Sequence, residues 1–160
     1  MSQIKVNIGI PQKSLDEIVD SLSVVLSTEA VLYQKTRNFH WNVGGPSFME
    51  LHKLFEEQYK KAEASIDVVA ERISKLGHKT VGTLQEFGKL SIVKEDPGKY
   101  PSTAQMIQEL LENHESQIQY LRECIVHCGE KHGDAGTADL LTALLREHET
   151  IAWTLRRYLA

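Results

Sequence analysis

Residues 38–57 read NFHWNVGGPSFMELHKLFEE, and residues 64–73 read ASIDVVAERI. Two apolar patterns of helical period meet there at Gly44-Gly45-Pro46, a triplet that breaks a helix and makes a turn. On the N-terminal side Leu15, Ile18, Val19, Leu22, Val25 and Leu26 recur at helical spacing behind Ser14-x-x-Glu17, a capping-box pattern. A first helix is expected over about residues 14–39. On the C-terminal side Ser47-x-x-Glu50 repeats the capping pattern, and Leu51, Phe55, Ile66, Val69 and Ile73 carry the period to Leu76-Gly77. The second helix is expected over about residues 47–76.

Beyond Gly77 the period lapses until Pro101, with Gly82, Gly88, Pro97 and Gly98 as punctuation, although Thr83-x-x-Glu86 can cap a short helix through Leu90. Ser102-x-x-Gln105 opens a third long helix over about 102–129, Lys131 to Gly136 reads as a turn, and a fourth helix starts near Thr137. No segment alternates as a strand does. The fold class expected is all-α, a four-helix bundle whose two helix pairs are joined by a long crossover carrying a short helix, and the 160 residues form one domain over 1–160.

With 41% hydrophobic and 25% charged residues, the chain has the composition of a folded globular protein. No apolar run approaches the roughly 20 residues needed to cross a bilayer. The N-terminus MSQIKVNIGI lacks a signal peptide's basic stretch and long apolar core, so a cytoplasmic protein is expected. Net charge is −4 with lysine and arginine scattered, which argues against a surface built for nucleic acid or anionic membrane. Cys124 and Cys128, four apart, read as small buried apolar residues, the alternative being a metal or redox role with His127.

The chemistry concentrates in His40, His52, Glu56, Asp67 and Glu71. With His52 at zero on the second helix, Glu56 falls at about 40°, Asp67 at about 60° and Glu71 at about 100°, so the four share one stripe. Such a stripe is commonly a solvated polar face. Two observations favour a site: Phe55, Ile66 and Ala70 set the acids beside apolar surface, and His40 lies one turn of chain away from His52 across Gly44-Gly45-Pro46. Imidazole with carboxylate oxygen suits iron or manganese better than soft metals.

The two ligand pairs nevertheless lie about 22 Å apart along one helix axis at 1.5 Å per residue, too far for one ion. If the helix packs antiparallel on its own copy about residues 61 and 62, each His52/Glu56 pair faces the other chain's Asp67/Glu71 pair, and Ala62 and Ala64 permit close approach. A di-iron site inside one bundle calls for Glu-x-x-His on two helices. The residues three before the histidines are Arg37, Met49, Lys75, Leu111, Cys124, Gly129 and Leu145, none of them glutamate.

The quoted stretch, with its order His40, His52, Glu56, Asp67, Glu71, resembles the signature of the Dps family, the mini-ferritins, and GDAGTADLLTALLREHETIAWTLRRYL at 133–159 is similar to that family's last helix. The resemblance implies a hollow homo-dodecamer of two-fold dimers with a ferroxidase site at each two-fold interface: His40, His52 and Glu56 from one chain, Asp67 and Glu71 from its partner. It implies iron as the metal, hydrogen peroxide as the usual oxidant and ferric mineral stored in the cavity. Glu56 stands where many members have aspartate, which bears on metal selectivity. By the same resemblance Trp41 would donate an electron or quench a radical, the plainer alternative being an aromatic that seals the interface. Asp134 and Asp139 match positions lining a negative three-fold pore, the alternative being helix N-terminal charge favoured by the macrodipole. His78, His114, His127, His132 and His148 belong to no motif and read as surface or core.

Two other function classes compete. Family members often compact DNA through a lysine-rich tail, but here only Lys5 and Lys13 precede Asp16 and Ala160 follows the last helix directly, so weak DNA binding or none is expected. A structural bundle without metal is what the stripe alone suggests.

Overall fold

The computed structural model describes residues 6–160, so Lys5 lies outside the described residues. Every regular element among them is helical: α1 (Gln12–Asn42), α2 (Phe48–Lys75), α3 (Leu84–Leu90), α4 (Thr103–Val126), a single π-helical turn (His127–Lys131) and α5 (Ala135–Leu159). None is long and apolar enough to cross a membrane. α1 packs chiefly on α2, and α4 on α5. The molecule is thus two helical hairpins, and the connection between them carries α3, which lies against α1. This is the four-helix bundle with a long crossover that the periodicity predicts.

Two of the four capping boxes form. Thr83 and Ser102 each accept from the backbone N–H three residues on, while Glu86 and Gln105 reach back to the cap N–H. Their ψ values, 149° and 159°, are extended, the backbone shape that aims a capping oxygen down the helix. Ser47 has ψ 23° and makes no side-chain cap, so its predicted box is corrected although the helix starts beside it. Ser14 does not cap either, because α1 begins two residues earlier, behind Pro11, which cannot continue the helix backwards. At the other end of α2, Gly77 (φ 85°) closes the helix: its N–H bonds Ser74 O at 2.9 Å and the His78 N–H bonds Ile73 O at 3.3 Å.

Two large clusters make most of the core, and a small third joins Val31 and Leu32 of α1 to Val93 of the crossover. One cluster joins Leu15 to Leu26 of α1 with Val69 and Ile73 of α2 and the facing ends of α4 and α5. The other joins Phe39, Leu51 and Phe55 with Met106 to Leu111 and Ile151 to Leu155. Between them runs a buried polar belt. Glu29 accepts from Gln117 Nε2 at 2.9 Å and lies 2.7 Å from His148 Nε2, and His148 Nδ1 lies 2.8 Å from His114 Nδ1. His114 and His148 are therefore core histidines. Lys35, also buried, bonds Lys94 O at 2.6 Å and Glu109 at 2.5 Å, which ties the crossover and α4 to α1.

Candidate metal centre

The turn after α1 folds back so tightly that His40, near the end of α1, and His52, one turn into α2, stack with ring centroids 3.8 Å apart. Each imidazole bonds the other's backbone: His40 Nδ1 lies 2.7 Å from His52 O, and His52 Nδ1 lies 2.8 Å from His40 O. A carbonyl only accepts, so both Nδ1 atoms carry the proton. With Nδ1 so occupied, Nε2 is the ring atom that each histidine has left to offer a metal, and the backbone bond sets its orientation. Tyr59 packs edge-on to His40 and Phe48 leans on His52.

Glu56 stands one turn beyond His52 and bonds Lys60. That hydrogen bond and charge hold its carboxyl below the ordinary value, and the charges of His40 and His52 add to the effect. The structure thus brings together His40 and His52, while the Glu56 carboxylate, on the same stripe, is engaged by Lys60. Asp67 and Glu71 point outward farther along α2, both exposed, with Glu71 paired to Lys75 at 3.0 Å. At 1.5 Å per residue they remain about 22 Å from the first pair. Trp41 is 58% exposed in the single chain, with the Arg37 guanidinium 5.3 Å from its ring.

A family model described as a ferritin-like domain matches residues 19–160. DNA protection during starvation protein 2 of Bacillus anthracis is 34% identical over 144 residues, covering 89% of this chain and 97% of its own. The chain belongs to the Dps family. A low temperature-induced protein of Nostoc sp. is 39% identical over 155 residues, 97% of this chain and 87% of its own. The crystal structure of the Dps protein of Vibrio cholerae O1, described as a member of a broad superfamily of ferritin-like diiron-carboxylate proteins, superposes with a TM-score of 0.91 at 28% identity, covering 100% of this chain and 99% of that one.

Of the two acids that the resemblance sets at a pore, Asp134 takes the helix N-terminal role given as the alternative. Asp134 is 3% exposed and its carboxylate is committed within its own subunit: it caps α5 by accepting from the Thr137 N–H at 2.9 Å and pairs with Arg72 at 2.7 Å. Burial pushes its pKa up, but the hydrogen bonds from Thr137 and Arg72 outweigh it and hold the group below the ordinary value. Asp139, by contrast, is exposed. Cys124 and Cys128 are free and buried, and burial raises their thiols to about 11 and about 12, which keeps them protonated and unreactive.

Sequence reasoning missed the belt around Glu29. Its signal was present: Glu29 falls among Leu22, Val25, Leu26 and Leu32 on the apolar side of α1, where an acid needs a buried partner. The reciprocal His40/His52 bonds had no such signal, since they use backbone carbonyls.

Proposed function

We propose that the chain is a ferroxidase and iron-storing mini-ferritin whose sites are shared across a two-fold pair in a homo-dodecamer. The observation that carries this is the division of one stripe into two halves. Each half is too poor in donors alone, and they are too far apart to meet within a chain. An antiparallel α2 pair centred between Lys61 and Ala62 brings His40, His52 and Glu56 opposite Asp67 and Glu71 of the partner subunit. Met49, Ala64 and Val68 are exposed on the same side of α2, as is Trp41 at the end of α1, which gives that contact apolar surface to bury.

Iron is the substrate. The two Nε2 lone pairs accept Fe²⁺ without expelling a proton, and the carboxylates favour the ferric product, so electrons leave readily. Hydrogen peroxide takes one electron from each of two Fe²⁺ ions. Its O–O bond breaks and, with two protons, gives two waters and two Fe³⁺, with no hydroxyl radical released. Hydrolysed Fe³⁺ then accumulates as mineral inside the shell.

His52→Ala and Asp67→Ala chains, unfolded separately, mixed equally and reassembled, test the sharing. Random pairing makes about half the dimers mixed, and each mixed dimer has one intact site, so about a quarter of all sites regain fast peroxide-driven oxidation. Native mass is measured on the same samples and should correspond to about twelve chains. Mixed particles of that mass with no recovered activity would refute the shared site.

A further inference from the structure

A second group of donors lies at the opposite end of the first hairpin, where the last turn of the α4 segment widens. His127 and His132 are five residues apart. On an α-helix they would point about 140° apart. The π-helical turn His127–Lys131 changes that, because the extra residue in the turn brings positions five apart closer to one face. Their rings meet edge-to-face with centroids 4.6 Å apart. Glu17, in the first turns of α1, reaches the same point, and one ligand atom from each of Glu17, His127 and His132 lies within 4.8 Å of the other two.

The state of His132 points independently to a ligand. Its side chain is 6% exposed, and its Nε2 lies 3.2 Å from Glu17 Oε2. That buried nitrogen is nonetheless not aligned for a hydrogen bond with any atom of the described residues. A buried imidazole nitrogen without a partner is an uncommon and costly state. A cation between the nitrogen and the carboxylate satisfies both. Glu17 otherwise pairs with Lys131 at 2.7 Å, and the Lys131 side chain is 58% exposed, free to swing into solvent.

We propose that Glu17, His127 and His132 form a site for a first-row divalent metal ion of the Zn²⁺ or Fe²⁺ kind, complete within one chain. Two imidazoles and one carboxylate supply three ligands, and water completes the shell. The site is distinct from the α2 stripe: Glu17 and His40 are 23 residues apart on α1, about 35 Å at 1.5 Å per residue. It needs no partner subunit, and it would staple the start of α1 to the π-helical turn.

The test uses the assembled full-length particle carrying His52→Ala and Asp67→Ala, so that both halves of the stripe are disabled whether or not they form a shared site. Co²⁺ is the probe, titrated with stoichiometry read by equilibrium dialysis and ligand field by visible absorption. One Co²⁺ per chain is expected, displaced by Zn²⁺, with affinity at least tenfold weaker after His127→Ala or Glu17→Gln. Particle mass and helical circular dichroism confirm folding, and Glu17→Gln preserves shape should the alanine variant fail to assemble. No bound Co²⁺ in the parent particle, or unchanged stoichiometry and spectrum in Glu17→Gln, overturns the site. Ferroxidase activity is measured separately in the unsubstituted particle, so loss of one reading leaves the other standing.

Discussion

The two ends of the outward stripe of α2 are built on different principles. At the N-terminal end His52 is locked by reciprocal hydrogen bonds and a ring stack with His40, and Glu56 stands beside them. At the C-terminal end Asp67 and Glu71 extend into solvent with nothing deeper than Lys75 to hold them. The helix backbone there is firmly placed all the same, because Arg72, next to Glu71, donates to Asp134 at 2.7 Å and to Thr137 Oγ1 at 2.8 Å. One half is preorganised as a pair of imidazole donors in fixed tautomers. The other fixes where the helix runs and leaves its carboxylate arms free to adjust. A site assembled from such halves combines orientation from one chain with adaptable charge from the other.

The largest effect expected sets this difference aside. If the halves complete one site, His52→Ala and Asp67→Ala should each slow peroxide-driven iron oxidation by more than the roughly 100-fold typical of losing an outer-shell partner, although one residue is braced and the other is exposed. Stopped-flow absorbance of ferric product checks this. Full activity in Asp67→Ala would break the equivalence and assign the chemistry to the braced half alone.

The next effect bears on how the adaptable half is anchored. Arg72→Ala removes the cation beside the buried Asp134 carboxylate and is expected to cost about 2–3 kcal/mol of stability, read from denaturant midpoints. The ion pair also gives the protein an acid limit. Because the folded-state pKa of Asp134 lies below its ordinary 3.8, its contribution is fully present above that value and is lost as pH falls through the depressed folded value. The stability gap between parent and Arg72→Ala should therefore narrow below about pH 4. A gap that stays constant to pH 2 would mean that the pair is not what anchors the helix.

The smallest effect separates the halves most directly. His52→Ala loses a half-buried hydrogen bond and a ring stack and should cost about 1–2 kcal/mol, whereas Asp67→Ala should fall within about 0.5 kcal/mol. Equal losses measured on matched particles would contradict the difference in bracing.

The helices and their order were legible because each carries its own apolar period, and the crossover because the period lapses between Gly77 and Pro101. The caps were half legible. A serine or threonine three before an acid or glutamine marks where a helix can start, but whether its oxygen caps depends on ψ at that residue, which Pro11 and the turn before Ser47 decide. The candidate ligands were legible as a stripe, since His52, Glu56, Asp67 and Glu71 all lie on one helix. Asp134 was legible as a charge at a helix N-terminus but not as half of a buried ion pair, because its partner Arg72 stands 62 residues away. Nor was the π-helical turn: an added residue in a helical turn leaves the hydrophobic pattern almost unchanged while it re-aims the histidines on either side.

The reciprocal bonds between His40 and His52 also bear on the order in which the chain folds. They close a loop of only twelve residues, so the contact between α1 and α2 forms at little cost in chain entropy, whereas α4 reaches α1 only after the crossover has been threaded. The hairpin carrying the imidazole donors is therefore expected to be protected in pulse-labelled hydrogen exchange before the crossover and its α3; amides of α3 protected ahead of it would reverse that order. A newly made chain would then hold the braced half of the proposed iron site before its own bundle is closed and before it has met another copy of itself.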